Sequence, residues 1–301
     1  MDGLTTALLT FPLFLCVLST AAVGAAVPPV YVFGDSTADV GTNNYLPGTS
    51  AKADFPHNGI DFPHRRPTGR FSNGYNGADF IDTSSKALTS PPVAPASSIL
   101  PEAQSLLSMQ LKQFAIVSSN ISARVGVESA DKLLSRSIFV ISTGANDMIA
   151  FFARFGSVNT TQRDEFVATL ISNYEDHITT LYKLGARKFA IVGVPKIGYC
   201  PSQRSVNPNG DCIKDLNVYA SKFNKATEAL MRKLCTTNER MKYSIGSTYQ
   251  IVSSIMENPH KLGICSIPHK LTSKLAVEAF YTWSAPFVTP ITFKELVEDD
   301  R

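Results

Sequence analysis

A serine hydroxyl stands at the end of a short apolar segment near the beginning of the sequence. Residues Val30 to Phe33 are all apolar, which predicts a buried strand. Gly34 then lets the chain turn before Asp35 and Ser36. Sites in open α/β sheets form outside the carboxyl ends of the strands, so this pattern predicts that Ser36 is a nucleophile. The alternative interpretation is a turn that only caps a following helix.

A second candidate follows another apolar segment. Residues 137–142 predict a second buried strand, and the chain continues as Thr143-Gly144-Ala145-Asn146-Asp147. An asparagine amide at the carboxyl end of a strand can donate a hydrogen bond to the oxyanion of an acyl-transfer intermediate, and one such donor contributes roughly 3 kcal/mol. Asn146 is therefore a candidate oxyanion donor, although Gly-x-Asn-Asp by itself is also a common turn sequence.

The elements between and after these residues predict one doubly wound sheet. Apolar residues recur at helical spacing from Thr161 to Gly185, and Lys188 to Val194 reads as a third strand. A strand, a helix and a further strand in this order form a βαβ unit, which is parallel and right-handed in nearly all proteins. A further amphipathic helix is predicted from Asp215 to Cys235. We therefore expect the first three strands to be neighbours, and Ser36 and Asn146 to face a common cleft.

The residues around Ser36 resemble the first block of the plant GDSL esterase/lipase family, within the SGNH hydrolases. The resemblance rests on GDSTADVG at 34–41, GRFSNG at 69–74 and GAND at 144–147, and it extends over most of the chain after the leader. It implies a three-layer α/β/α fold of the SGNH-hydrolase (flavodoxin-like) type with a parallel central sheet. It also implies a carboxylic ester hydrolase acting on acyl esters or lipids, with Ser36 as nucleophile and Asn146 in the oxyanion hole. No metal or organic cofactor is implied.

The sequence departs from the family pattern in two places. Residues 91–100 contain no glycine, whereas family members carry a Gly-rich block there that supplies a second oxyanion donor. The family's Asp-x-x-His-Pro block, which supplies the general base and the aspartate that orients it, is also missing, and no aspartate stands three residues before a histidine in that region. We expect that two internal segments have been lost and that activity is impaired. The alternative is an inactive secreted pseudoenzyme that binds acylated or cell-wall ligands.

The best remaining candidate for the base is His269, because it directly precedes the helix that follows the catalytic histidine in the family. Its alternative interpretation is a residue that only begins this helix. His177 is expected to be solvated within the predicted helix 161–185, and His57 and His64 fall in a long polar loop after Ser36. The fifth histidine, His260, lies in the same departing region.

The amino-terminal residues predict secretion. Leu8 to Leu18 form an apolar stretch that is too short to span a bilayer, and small residues suited to signal-peptidase cleavage follow it, so we expect a signal peptide at 1–26 and no stable membrane insertion. A buried core helix is the alternative. Residues 27–301 are then expected to form a single hydrolase domain. Four cysteines remain in this mature chain, and Cys200 and Cys212 flank a loop that a disulfide could close. Sequons at Asn120 and Asn159 predict glycosylation on surface loops.

Composition limits the partners. The chain has 301 residues, 44% hydrophobic and 18% charged, which suffices for one substantial α/β core. A formal charge of +3 without a dense basic run argues against nucleic acid. The sequence contains no Gly-x-Ser-x-Gly elbow and no Gly-x-Gly-x-x-Gly dinucleotide fingerprint. These observations favour a small-molecule ester substrate.

Overall fold

The computed structural model describes residues 28–45, 52–79, 106–257 and 285–299. Within these ranges the chain forms a five-stranded sheet in the order β1-β2-β3-β4-β5. Strands β1 to β4 are parallel, and β5 pairs antiparallel to β4. The strands are β1 (Val30–Gly34), β2 (Ile138–Ser142), β3 (Lys188–Val192), β4 (Lys242–Gly246) and β5 (Val288–Thr289).

Helices connect these strands. They are α1 (Leu106–Val125), α2 (Val127–Arg136), α3 (Ala145–Phe155), α4 (Thr160–Lys183), α5 (Pro201–Arg204), α6 (Lys214–Thr237), α7 (Thr248–Glu257) and α8 (Phe293–Glu298). The start of α4 illustrates how the sequence sets a boundary, because the Asn159 side chain accepts a hydrogen bond from the backbone N–H of Gln162 at 2.9 Å. At its other end the chain leaves the helix through Gly185, whose φ of 105° suits glycine.

The sheet lies between two helical layers. Because successive side chains of a strand point to opposite faces, Tyr31 and Phe33 face one layer, whereas Val30 and Val32 face the other. The first layer contains α1, α2, α4 and α6, which pack on one cluster of buried residues. The second contains α7 and α8, whose buried residues pack on the opposite face. This arrangement confirms the predicted three-layer α/β/α fold with a largely parallel central sheet.

The first three strands are neighbours, as predicted, with Gly34 paired to Ser142 and Ser142 paired to Val192. The predicted third strand was two residues too long. It ends at Val192 because the backbone of Val194 is bonded through both its N–H and its carbonyl to the side-chain amide of Asn224, at 2.8 Å each. The predicted helices correspond to α4 and α6. Helix α4 begins one residue earlier and ends two residues earlier than predicted, whereas α6 extends one residue further at its start and two at its end.

Two local predictions are wrong. Cys200 and Cys212 are free thiols rather than a disulfide, and Cys200 packs against an apolar cluster. Asn120 lies on the exposed surface of α1 rather than in a loop. Asn159 is exposed at the start of α4.

Several predictions fall outside the described residues. They concern the signal peptide at 1–26, the region 91–100 and the region that contains His260 and His269. Among the helices that the structure does describe, none combines the length and the apolar character needed to cross a bilayer.

Candidate active site

Ser36 lies in a tight turn immediately after β1. The backbone N–H of Ala38 donates to the carbonyl of Asp35 at 3.0 Å, which closes the turn around Ser36. The Asp35 carboxylate accepts hydrogen bonds from the backbone N–H and the hydroxyl of Thr37, at 3.0 and 2.8 Å. Such local bonds from an aspartate side chain are typical of turns. Within this turn Asp35 is buried, Ser36 is partly exposed and Thr37 is exposed.

The serine turn is fixed directly on β2. The backbone N–H of Asp35 donates to the carbonyl of Ser142 at 3.3 Å, and the hydroxyl oxygens of Thr37 and Ser142 lie 3.5 Å apart. A β-carbon added at Gly34 would lie 2.5 Å from the Ser142 carbonyl oxygen, closer than two such atoms can approach. The position therefore requires glycine. The end of β1 and the end of β2 are held as one rigid unit.

Asn146 begins the helix that follows β2. It is the second residue of α3, and Gly144 reverses the chain just before it with a φ of 104°. The Asn146 side chain is partly exposed and makes no hydrogen bond to another described residue. The first turn of an α-helix presents unpaired N–H groups and the positive end of the helix dipole, both of which favour a negative charge. The amide of Asn146 is thus placed where an anion would be stabilised.

Aromatic packing holds α3 against two other helices. The rings of Phe151 and Phe166 are stacked at 4.0 Å, and both meet the ring of Tyr219 edge-on at 5.8 Å. Met148 is fully buried one turn after the start of the helix. Close-packed contacts of this kind allow little movement. They fix the direction in which α3, and with it Asn146, points from the sheet.

Two carboxyl groups lie near these residues. Burial raises the pKa of Asp35, and the hydrogen bonds from Thr37 oppose that rise. Burial also raises the pKa of Asp147, and the negative charge of Asp35 raises it further. The pairing of Gly34 with Ser142 brings the turn after β1 and the start of α3 to the same edge of the sheet. The burial of Asp35 indicates a local environment of low polarity, in which hydrogen bonds to developing charge are strong.

None of the three described histidines is hydrogen-bonded to Ser36. His177 was expected to be solvated, but it is partly buried between α4 and α1, with Nε2 2.9 Å from the hydroxyl of Ser108. Burial lowers the pKa of His177, and the negative charge of Asp176 opposes this. His57 and His64 are exposed. His269 lies outside the described residues, so its role stays a prediction.

The sequence interpretation missed one residue beside the serine turn. Gln110 is buried on α1, and its side-chain amide is hydrogen-bonded to the backbone of Gly34. A signal for it was present, because Leu107, Leu111 and Phe114 form an apolar stripe at helical spacing, and Gln110 is a polar residue within that stripe. Among the described residues, no three His, Cys, Asp or Glu side chains come close enough together to hold a metal ion.

Fold and site together define an α/β/α protein with polar residues gathered at the carboxyl edge of a parallel sheet. The family model for GDSL-like lipase/acylhydrolase matches residues 30–259. Two similar proteins are the Arabidopsis thaliana GDSL esterase/lipases At5g37690 and At4g16230, each 32% identical. The first alignment covers 77% of this chain and 72% of its relative, and the second covers 82% and 77%. A third relative, Arabidopsis GDSL esterase/lipase At5g55050, is 29% identical over 81% of this chain and 73% of its own length.

The chain belongs to the GDSL-like lipase/acylhydrolase family. Its lineage is therefore that of the carboxylic ester hydrolases, and small-molecule esters are the substrate class of that lineage.

Proposed function

We propose that this protein is a secreted serine ester hydrolase acting on acyl esters or lipids, with Ser36 as nucleophile and Asn146 as oxyanion donor. One observation carries the proposal. Gly34 and Ser142 are paired in register at the ends of adjacent parallel strands, so the serine turn and the start of α3 leave the same edge of the sheet side by side. Neighbouring strands lie roughly 4.8 Å apart, so the two segments that carry Ser36 and Asn146 begin close to each other.

The chemistry follows the usual course of acyl transfer. The hydroxyl oxygen of Ser36 attacks the ester carbonyl while a base accepts its proton, and the carbonyl oxygen becomes an oxyanion. The amide of Asn146 and the N-terminus of α3 stabilise that charge. Collapse of the intermediate expels the alcohol, which takes up the proton, and leaves an acyl group on Ser36. Water then gives a proton to the base and attacks the acyl group, the bond to the Ser36 oxygen breaks, the serine takes back the proton, and a carboxylic acid leaves.

The base assigned here is His269, and it would act without a recognisable aspartate partner. A serine hydroxyl is a weak nucleophile until a neighbouring group accepts its proton, and an imidazole works best when a third group holds its tautomer. Loss of that third group predicts slow turnover. Hydrolases that lack part of their triad retain roughly 10³- to 10⁴-fold acceleration over water.

A second candidate function is a secreted pseudoenzyme that binds acylated or cell-wall ligands without turning them over. It is favoured by the absence of a base at Ser36 among the described residues, together with the missing Asp-x-x-His block in the sequence. Under this alternative the Ser36 turn and the start of α3 would form a binding surface only. The two functions differ in the reactivity of a single hydroxyl.

The test is covalent labelling with a fluorophosphonate, followed by peptide mapping. Only a serine that loses its proton to a base reacts rapidly with this reagent. We expect label on Ser36 and slow hydrolysis of p-nitrophenyl acetate, both abolished by Ser36→Ala. Ser202→Ala is the matched control, because Ser202 is exposed on α5 and far along the chain from the proposed site.

The histidine is tested in the same assay. Loss of rate in His269→Ala equal to that in Ser36→Ala would identify His269 as the base. An unchanged rate in His269→Ala would show that this assignment is wrong. Equal rates for the unmodified protein and Ser36→Ala, with no label on Ser36, would contradict the enzyme and support the pseudoenzyme.

Secretion and glycosylation belong to the same proposal. Asn120 and Asn159 are both exposed, so a glycan could be attached at either. At Asn159 the side-chain oxygen caps α4, and the amide nitrogen, to which a glycan is linked, is not needed for that bond. A glycosylated Asn159 would therefore keep its capping role.

A further inference from the structure

The end of β1 is held from outside the sheet by one side chain. The backbone N–H of Gly34 donates to Oε1 of Gln110 at 3.0 Å, and Nε2 of Gln110 donates to the Gly34 carbonyl at 2.7 Å. Gln110 lies on α1 and is only 2% exposed. It meets Gly34 across 76 residues of sequence. This is a long-range, buried, two-bond contact at the residue that stands two positions before Ser36.

The Gln110 amide takes the place of a neighbouring strand. A side-chain amide carries the same donor and acceptor as a peptide group, so it can satisfy both backbone groups of one strand residue. Gly34 is bonded through both groups to Gln110, whereas Asp35, the next residue, is bonded to β2. Two successive residues are therefore hydrogen-bonded to different partners, Gly34 to α1 and Asp35 to β2. Ser36 follows directly.

We propose that Gln110 is a positioning residue for the Ser36 nucleophile. By fixing the Gly34 peptide it sets the direction in which the following turn leaves β1, and so the direction of the Ser36 hydroxyl relative to Asn146. This inference rests on the proposed function for the catalytic role of Ser36. The restraint on the turn itself does not depend on that role.

Packing alone does not explain a glutamine at this position. The neighbouring members of the same stripe, Leu107, Leu111 and Phe114, are buried apolar residues in the core. A buried amide is disfavoured unless its hydrogen bonds are made, so an apolar residue would serve better if the position only filled space. The two bonds to Gly34 are the feature that an apolar residue cannot reproduce.

The end of β3 shows the same two-bond contact between a side-chain amide and the backbone, and it provides a control. The side-chain amide of Asn224 on α6 bonds the N–H and the carbonyl of Val194, at 2.8 Å each, just after β3. Replacing Asn224 with leucine removes the same number of bonds of the same kind. If Gln110 acts specifically on the serine turn, the two substitutions have different local effects.

The experiment compares Gln110→Met, Gln110→Glu and Asn224→Leu in the full chain. Methionine keeps the length of the side chain and removes both bonds. Glutamic acid keeps the shape, and it can both donate and accept only while its carboxyl is protonated. Hydrogen exchange of peptides covering 33–38 and 192–196 measures the local restraint. The rate of fluorophosphonate labelling at Ser36 measures reactivity, and urea unfolding measures global stability.

We expect Gln110→Met to speed exchange in 33–38 and to slow labelling of Ser36 by at least about tenfold, since a displacement of about 1 Å can cost on the order of 100-fold. Asn224→Leu should speed exchange in 192–196 and leave 33–38 protected. Gln110→Glu should resemble methionine near neutral pH and approach the unmodified protein as the pH is lowered. Lowering the pH also protonates other groups, among them Asp35, which follows Gly34 in the sequence. To remove their effect, the exchange and labelling rates of Gln110→Glu are divided by those of Gln110→Met at the same pH.

The proposal is overturned if Gln110→Met leaves exchange and labelling unchanged, or if it alters them only in proportion to global stability, as Asn224→Leu would. Absence of recovery in Gln110→Glu at low pH would also contradict it. Failure of the unmodified protein to label at Ser36 would contradict the proposed function instead. The exchange of 33–38 would still decide whether Gln110 restrains the turn.

Discussion

At the scale of single residues, Gly34 is the point on which the candidate site depends. One side of its backbone is bonded to Gln110, and a β-carbon on it would collide with the Ser142 carbonyl. Any side chain at this position would therefore push β1 away from β2 and separate the serine turn from α3. Gly34 therefore contributes to the site because it has no side chain.

Asn146→Ala tests the other side of the site. The side chain makes no hydrogen bond to a described residue, so we expect no loss of thermal stability. Loss of an oxyanion donor slows acyl transfer by roughly 10²- to 10³-fold, and labelling of Ser36 by a fluorophosphonate should slow accordingly. Asn209→Ala, in an exposed loop, is the control. A labelling rate within about twofold of the unmodified protein would remove Asn146 from the site.

The sequence indicates Ser36 and Asn146 because each lies a few residues after an apolar segment, and their catalytic roles stay a prediction. The apolar stripe on α1 marks Gln110 as a buried polar residue, but its partner could not be predicted, because a contact between residues 76 apart is set by how α1 packs on the sheet. The sequence interpretation also mispredicted the surroundings of His177. That residue lies on a helix with exposed neighbours, and only the position of α1 shows that the imidazole is partly buried against Ser108.

At the scale of elements, α1 carries two polar contacts in opposite directions. Gln110 reaches the end of β1, and Ser108, two residues earlier, reaches His177 on α4. The helix is therefore fixed both to the sheet and to its neighbour in the same layer. Changes in the contact with α4 act on the same helix that holds the serine turn.

The His177 contact predicts a dependence of stability on pH. Burial lowers the pKa of His177 in the folded state, so the unfolded chain takes up the proton first as the pH falls. The contribution of His177 to stability is therefore present at pH values above the pKa of a histidine in the unfolded chain, about 6.5, and is lost as the pH falls below it. Urea midpoints should therefore fall more steeply on acidification in the unmodified protein than in His177→Gln. The substitution itself should cost about 0.5–1.5 kcal/mol near neutral pH, the usual contribution of one hydrogen bond.

His57→Gln is the control, since His57 is exposed. Histidines outside the described residues are common to all three proteins, so their effect cancels in the comparison. Identical acid dependence in His177→Gln and the unmodified protein would show that His177 is not responsible.

Elements with a strong apolar period were predictable from sequence, and others were not. The helices α4 and α6 repeat apolar residues at helical spacing, and β1, β2 and β3 each contain four consecutive apolar residues. The strand β4 escaped prediction because Ser244 interrupts its apolar residues at the centre, where its hydroxyl is bonded to the Ile291 carbonyl inside the protein. Hydrogen bonding of a buried serine makes it compatible with a core strand, and the sequence does not show that bond.

At the scale of the whole molecule, the two layers of helices cover the sheet unequally. Four helices pack on one face, and α7 and α8 pack on the other among the described residues. The segments that follow Ser36 carry large exposed apolar side chains, with Tyr45 88%, Phe55 56% and Ile60 52% exposed.

We therefore expect the purified protein to bind a hydrophobic dye such as anilinonaphthalene sulfonate and to unfold over a broad temperature range. The physical reason is that, if the Gly-rich and Asp-x-x-His blocks have been lost as the sequence predicts, apolar surface is left uncovered near the candidate site. The Arabidopsis relative At5g37690, prepared in the same way, is the comparison. A sharp, cooperative transition without dye binding would show that the protein is well packed and would contradict this expectation.

The contact between Gly34 and Gln110 also sets an order of events in time. Gln110 lies 76 residues after Gly34, whereas the Thr37–Ser142 contact spans 105 residues. At a synthesis rate of roughly 5–20 residues per second, α1 leaves the ribosome on the order of seconds before β2 does. During that interval the glutamine amide is the partner already available to the end of β1. We therefore expect the Gln110 amide to be able to bond this strand end in the nascent chain before β2 is available to pair with it.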